Sequence, residues 1–391
     1  MALDILAEKG VPLERQVFTW RDFGARPYSK LDDDAFTRVR VILMNGVESE
    51  SVRFSHAAAR MNRDLRIPLA RVRRIDHQQQ KVINWLNPPD QSPLETTIGF
   101  EQAAIEITAS VAQLEPDPYL AQMYRFGMLE DFDHLYRFAG LMDRMSGGDV
   151  NNILQSYTDV IPGRPTMVEH RAPEDDVRLS YDRLTASPIS KLNALTIVSA
   201  ENQVYDYYMN IGPTFADQLA RMLYAEIVQI EQQHVTHYES LMDPDETWIE
   251  KWLMHECNEV YTYWSCMQQE PNSRLKAIWE RFLAYELGQM HFVMDIMRDV
   301  ERRDPELLLP KELPDPVKFE SHRKFVRETL ANEAHLRANG TQIVLPEQES
   351  AASLAYRQQL NSEGVPSEIV ATDYQFTPGT ELMRAGTPAI H

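Results

Sequence analysis

Two acid-x-x-histidine motifs, Asp131-x-x-His134 and Glu231-x-x-His234, lie one hundred residues apart in this chain. Residues three apart on a helix sit on one face, so each motif can offer a carboxylate and an imidazole to one metal ion. The same shift carries Glu101 onto Glu201. Apolar neighbours follow it too: Ile98 onto Val198, Leu135 onto Val235, Phe138 onto Tyr238, Leu141 onto Leu241 and Met142 onto Met242. Four carboxylates and two imidazoles of this kind are a donor set for two transition-metal ions.

The surroundings of these acids give the physical reason. Asp131 is flanked at helical spacing by Met128, Leu135 and Phe138, and Glu231 by Ile227, Val228, Val235 and Tyr238. Glu101 has Ile98, Ala104 and Ile105 around it; Glu201 has Ile197, Val198, Val204 and Tyr205. All four acids therefore interrupt core-facing stripes. An ionised carboxylate in such a place carries a penalty on the order of several kcal/mol, and four together repel one another. Two divalent cations supply the missing charge.

Helices must position these side chains, and their starts are legible. Ser92-Pro93-Leu94-Glu95 is a capping box with proline in the first turn, opening a helix over 93–114. Asp117-Pro118 opens one to about Met145, stopped by Ser146-Gly147-Gly148, and Ser187-Pro188 opens one that ends near Ile211-Gly212-Pro213. The next is expected over 214–242, with Thr214 as its cap and Asp217 three residues on. Further helices are expected at 33–62, 66–86, 246–269, 273–302 and 316–338. In the first hairpin, thirteen residues separate Glu101 from the helix end and thirteen separate Pro118 from Asp131, so both sit ~20 Å from the turn. In the second hairpin Glu231 lies farther from its turn than Glu201 does, which calls for a bend or an irregular helix start.

Over about 93–243 the chain resembles the ferritin-like superfamily, which includes bacterioferritin, rubrerythrin, the ribonucleotide reductase small subunit and bacterial dimetal oxygenases. Their pattern is Glu, Glu-x-x-His, Glu, Glu-x-x-His on four successive helices. Here it reads Glu101, Asp131-x-x-His134, Glu201, Glu231-x-x-His234, with Asp131 as the departure. The resemblance implies an all-α fold with a four-helix bundle at 91–243; helix signals outside it give an N-terminal helical extension at 1–90 and additional helices at 244–339, and the Gln-, Ser-, Thr-, Gly- and Pro-rich composition that follows gives an extended or partly disordered tail at 340–391. It implies two transition-metal ions, iron first and manganese second, and a non-haem oxidoreductase that activates dioxygen to oxidise a small organic molecule. No C-x-x-C pair or Gly-rich dinucleotide fingerprint is present, so electrons are expected from a separate donor or reductase. A ferroxidase or metal-storage protein, and a metal-stabilised scaffold, are the alternative readings; a homo-oligomer is compatible with all three.

Other residues compete and are set aside. Glu130 shares a face with Phe126, Asp133 and Arg137, more polar than that of Asp131. Glu106 shares one with Gln102, Ser110 and Gln113, the pattern of a solvated stripe. His237 is one turn beyond His234, whereas the p-aminobenzoate N-oxygenase-like branch places its extra histidine before the acid, where this chain has Ile227. His255, Glu256, Glu259, Glu286 and His291 form no acid-x-x-His pair and read as core or interface groups. Tyr205, Tyr208 and Tyr238 read first as packing. The long 146–187 connection, with Glu169, His170 and Glu174-Asp175-Asp176, reads equally as a crossover and as a cover for the site.

Composition bounds the rest. A net charge of −20 disfavours nucleic acid, and the Arg66–Arg74 basic stretch is short enough to be one solvated helix face. Cys257 and Cys266 are too few for a disulfide framework. No run approaches the ~18 apolar residues of a membrane span. MALDILAEKG is interrupted by charges, and the expected location is the cytoplasm.

Overall fold

The computed structural model describes residues 3–310 and 312–376. Among them the fold is all-α, with twelve α-helices and one short antiparallel hairpin. Four helical hairpins follow in chain order: α1 (Ala35–Met61) with α2 (Arg66–Asn84), and α3 (Pro93–Leu114) with α4 (Pro118–Ser146). After the single-turn α5 (Asn151–Leu154) come α6 (Pro188–Ile211) with α7 (Gln218–Glu239), and α8 (Trp248–Gln269) with α9 (Ser273–Val300).

The caps act as the residues dictate. Ser92 Oγ accepts from Glu95 N at 3.2 Å while Glu95 Oε2 accepts from Ser92 N at 2.7 Å. Asp117 caps α4 through Tyr119 N and Leu120 N, and Gly147, with φ of 61°, ends it in the left-handed conformation that a side chain disfavours. The start of α7 differs from expectation. Thr214 lies in a 3-10 turn over Gly212–Thr214, and Asp217 is the cap, accepting from Ala220 N at 2.8 Å. This irregular start is the one that the register of Glu201 and Glu231 calls for.

α3 packs on α4 and α6, α6 on α7, and α4 meets α7; α1 lies across α3 and α6 and also meets α8. The central helices are therefore covered on nearly every side. Each residue from Thr97 to Ala112 of α3 and from Ser190 to Val204 of α6 is buried, so their polar side chains must find partners inside the protein. The Glu106 stripe, expected to face water, is one result. Glu106 accepts from Thr158 Oγ1 at 2.6 Å and from His322 N at 2.8 Å, because two connecting segments cover it.

The same contacts explain why 316–338 is not one helix. The main-chain N–H groups of Val317, Lys318, Phe319 and His322 donate to Ser265, Ser110, Gln269 and Glu106, and α10 forms only over Arg323–Glu333. β1 (Arg337–Asn339) then pairs with β2 (Gln342–Val344), Ala338 opposite Ile343. Within the stretch expected to be extended, α11 (Ala351–Leu360) and α12 (Pro366–Ala371) are helical. α12 docks on α4 and α7: Ser367 donates through N and Oγ to Glu226, and its carbonyl accepts from Arg137. The remainder of that stretch, 377–391, lies outside the described residues. No described helix is long and apolar enough to cross a membrane.

Candidate metal centre

The four central hairpin helices bring all six residues of the repeated motif together. α3 supplies Glu101, α4 Asp131 and His134, α6 Glu201, and α7 Glu231 and His234, each at most 1% exposed. They form two overlapping groups that could hold metal ions. In one, donor atoms of Glu101, Asp131, His134 and Glu231 lie within 4.8 Å of one another; in the other, those of Asp131, Glu201, Glu231 and His234 do. Asp131 and Glu231 belong to both. The shorter side chain of Asp131 thus reaches the shared position, and Glu201 takes its place despite the unequal hairpin.

The imidazoles face inward through Nδ1. His134 Nδ1 is 3.0 Å from Glu231 Oε1, and His234 Nδ1 is 3.2 Å from Asp131 Oδ1, 3.4 Å from Glu231 Oε2 and 3.6 Å from Glu201 Oε2. The rings stack with centroids 5.9 Å apart. Their outer nitrogens meet two further carboxylates, His134 Nε2 at 3.0 Å from Glu169 Oε2 and His234 Nε2 at 2.8 Å from Glu130 Oε2. A carboxylate behind each imidazole fixes the ring and its tautomer, leaving the inner nitrogen as the donor.

Glu130 is in turn held by Arg171 Nη1 and by Arg164 Nη1 at 3.1 Å, and the Arg164 guanidinium lies 3.9 Å above the Phe126 ring. Burial would raise its pKa, but Arg171, His234 and Arg164 outweigh burial and hold it well below the usual carboxylate range. The 146–187 connection is fastened to α4 by Asp133, which accepts from Gly163 N, Thr166 N and Thr166 Oγ1 at 2.7–2.9 Å. It therefore carries the carboxylate behind His134 and the arginines behind Glu130, so the crossover and the cover are one segment.

Donor atoms in the cluster remain without hydrogen bonds inside the fold: Glu101 Oε2, both oxygens of Asp131 and Glu201, Glu231 Oε2 and His234 Nδ1. Burial drives the pKa values of Glu101 and Glu201 well above the ordinary range and raises that of Asp131. Glu231 is the exception: its burial is outweighed by the two imidazoles, which hold it at about 2. Both histidines are pushed well above their usual value, the carboxylates overcoming burial. Inward-facing, under-partnered oxygens of excess negative charge, with two imidazole nitrogens, are a donor set that could hold metal ions.

No family model, curated protein or solved structure matches this chain. The chemistry of the site therefore stands on its own geometry.

Other candidates fall outside the two groups. His237 is fully buried, stacks near Phe126 and accepts from Arg178 Nε at 3.0 Å through Nδ1; burial and then Arg178 push its pKa well below the usual value. His255 stacks on Phe54, and His291 contacts the carbonyls of Ile5 and Glu8. Tyr208 donates its hydroxyl to Glu101 Oε1 at 2.5 Å, so it does more than pack. Tyr238 is buried with an unpartnered hydroxyl beside the His234 ring, while Tyr205 lines a surface cleft. The roles of Glu130 and Glu169 were not readable in the sequence. Glu130 sits on the more polar face that the crossover covers, and Glu169 reaches His134 across thirty-five residues of chain with no periodicity.

Proposed function

We propose that this chain is a ferritin-like dimetal protein that activates dioxygen to oxidise a small organic substrate. One observation carries the reading: Asp131 and Glu231 are shared by both donor groups, with one histidine and one further glutamate on either side. That is the layout of bridging and terminal ligands on which the ferritin-like resemblance rests. Iron is the first choice of metal and manganese the second. When bound, such a pair supplies the electrons and free coordination positions for dioxygen reduction.

The chain's own residues have definable tasks. Glu130 and Glu169 hold the imidazoles with Nδ1 inward. The Tyr208 hydroxyl engages one oxygen of Glu101 and leaves Oε2 free. Ile98, Ile197, Ile227, Leu135 and Tyr238, all buried, exclude water and strengthen each electrostatic contact in the site. A cleft lined by Val198, Asn202, Tyr205, Gln232 and Val235 opens next to the chain positions of Glu201 and Glu231 and is the proposed approach for a small molecule. Cys257 and Cys266 are buried on α8, and burial pushes both thiols up, so neither is suited to relay electrons. The proposed electron donor is external.

The test is oxygen uptake by iron-loaded protein, with and without a chemical reductant, against Glu231→Ala loaded in the same way. Sustained uptake that requires reductant and is lost in the variant supports an oxidase or oxygenase. Uptake that stops when added ferrous iron is exhausted supports a ferroxidase, and none at all supports a scaffold; either outcome overturns the proposal.

A further inference from the structure

The remaining four long helices contain a second set of buried acids. The α1–α2 and α8–α9 hairpins pack together through α1 and α8. Between them lie Glu48 from α1, Asp76 from α2, Glu256 and Glu259 from α8, and Glu286 from α9, each at most 1% exposed. Donor oxygens of Glu256, Glu259 and Glu286 are within 4.8 Å of one another.

The layout repeats that of the first centre, with glutamine in place of histidine. Asp76-x-x-Gln79 and Glu286-x-x-Gln289 occupy the second helices of their hairpins, as Asp131-x-x-His134 and Glu231-x-x-His234 do, while Glu48 and the α8 glutamates come from the first helices. The two amides bind the cluster together. Gln79 Nε2 donates to Glu286 Oε1 at 2.6 Å and to Glu48 Oε1 at 3.0 Å, and Gln289 Nε2 donates to Glu286 Oε1 at 2.8 Å. Tyr263 donates to Glu48, and Trp252 Nε1 to Glu256 Oε1 at 2.8 Å.

These donors engage one oxygen of each of three acids and leave the others. Both oxygens of Asp76 and of Glu259, one each of Glu48, Glu256 and Glu286, and the amide oxygen of Gln289 are buried without a hydrogen bond. Among the described residues no Lys, Arg or His forms an ion pair with any of the five acids. Burial raises all five pKa values, that of Asp76 to about 8. Neutral amides orient carboxylates but cannot cancel their charge.

We propose that Glu256, Glu259 and Glu286, with Asp76, Glu48 and Gln289 around them, form a second cation site for a hard divalent ion of the Mg²⁺, Ca²⁺ or Mn²⁺ class. The donors on hand are oxygens alone, the set that suits such ions and disfavours softer ones. Without histidine, and with acids from four helices converging, its task is to tie the α1–α2 hairpin to α8–α9. The inference does not rest on the function proposed for the first centre.

The experiment is uptake of Ca²⁺, Mg²⁺ and Mn²⁺, each alone, by full-length protein already loaded with iron, followed by metal analysis after gel filtration. Wild type should take up about one further ion per chain, and Glu259→Gln/Glu286→Gln should lose it while keeping its iron. No further uptake by wild type, or equal uptake by the double variant, overturns the proposal. Should the double variant not fold, the wild-type melt decides: a midpoint raised by one of these ions supports the site, and an unchanged midpoint with all three overturns it. A failure here leaves the iron content of the first centre unaffected, so the two proposals fail separately.

Discussion

At the scale of single residues, the carboxylates behind the imidazoles separate two kinds of importance. Glu169 meets His134 Nε2 and little else through its side chain, so its loss frees the ring to rotate and to change tautomer. Glu169→Ala should weaken metal binding about 10–100-fold, with Glu169→Gln intermediate because the amide oxygen still accepts. Competition with a chromophoric chelator measures this, and unchanged affinity in both variants would deny Glu169 a role. Glu130 also neutralises Arg164 and Arg171, and among the described residues it is the only carboxylate in an ion pair with Arg164. Glu130→Ala should therefore cost about 3–5 kcal/mol of folding stability in addition to its effect on His234, read from the denaturant midpoint.

At the scale of elements, the crossover must lie close against α4 for Glu169 to reach the site. Gly163 allows this. A Cβ at that position would lie 2.7 Å from Asp133 N and 2.8 Å from Leu129 O, both backbone atoms of a helix that cannot yield. Gly163→Ala should lower stability by about 1–3 kcal/mol and weaken metal binding through the displaced Glu169, although it touches no donor. A variant with wild-type midpoint and affinity would show that the crossover is not positioned by this contact.

Element boundaries were largely legible, and the reasons for the exceptions are physical. Ser92, Asp117 and Ser187 cap where their side-chain chemistry places them, because capping is local. The hundred-residue repeat located Glu101, Asp131, His134, Glu201, Glu231 and His234 because buried acids among apolar residues stand out at helical spacing. Periodicity failed where a whole helix is covered. Glu106 reads as facing water, and Glu130 as lying on a more polar face than Asp131, because a polar stripe looks alike whether solvent or a connecting segment lies over it. The Asp76, Gln79, Glu286 and Gln289 pattern is not legible as a metal motif because an amide stands where a histidine would mark one. The 316–322 segment bonds to side chains of α3 and α8, a tertiary choice that local propensity does not record.

For the molecule as a whole, two buried acid clusters make stability depend on pH in opposite senses with and without metal. In metal-free protein, Glu101, Glu201 and Asp131 have folded pKa values raised by burial, and the carboxylates raise those of His134 and His234 against burial. A raised folded pKa contributes stability that is complete below the unfolded value and is lost as pH rises toward the folded one. Glu231 and Glu130 act oppositely, but their contribution is lost only as pH falls below the ordinary glutamate range. His237 and His255, held low by burial, gain stability as pH rises to the ordinary histidine range and offset part of the fall, but they are two groups against five. Chelator-treated protein should thus become less stable from about pH 5 to about pH 8. Metal-loaded protein should lose stability on acidification, as protons displace the ions. Parallel melting curves for the two forms across that interval would mean that the acids do not share a metal site.

If Asp131 and Glu231 are shared between two metal ions, anomalous diffraction at the iron edge from crystals of iron-loaded protein should show two peaks flanked by these carboxylates, one beside Glu101 and His134 Nδ1 and the other beside Glu201 and His234 Nδ1. A single peak, or none between these helices, would contradict that sharing.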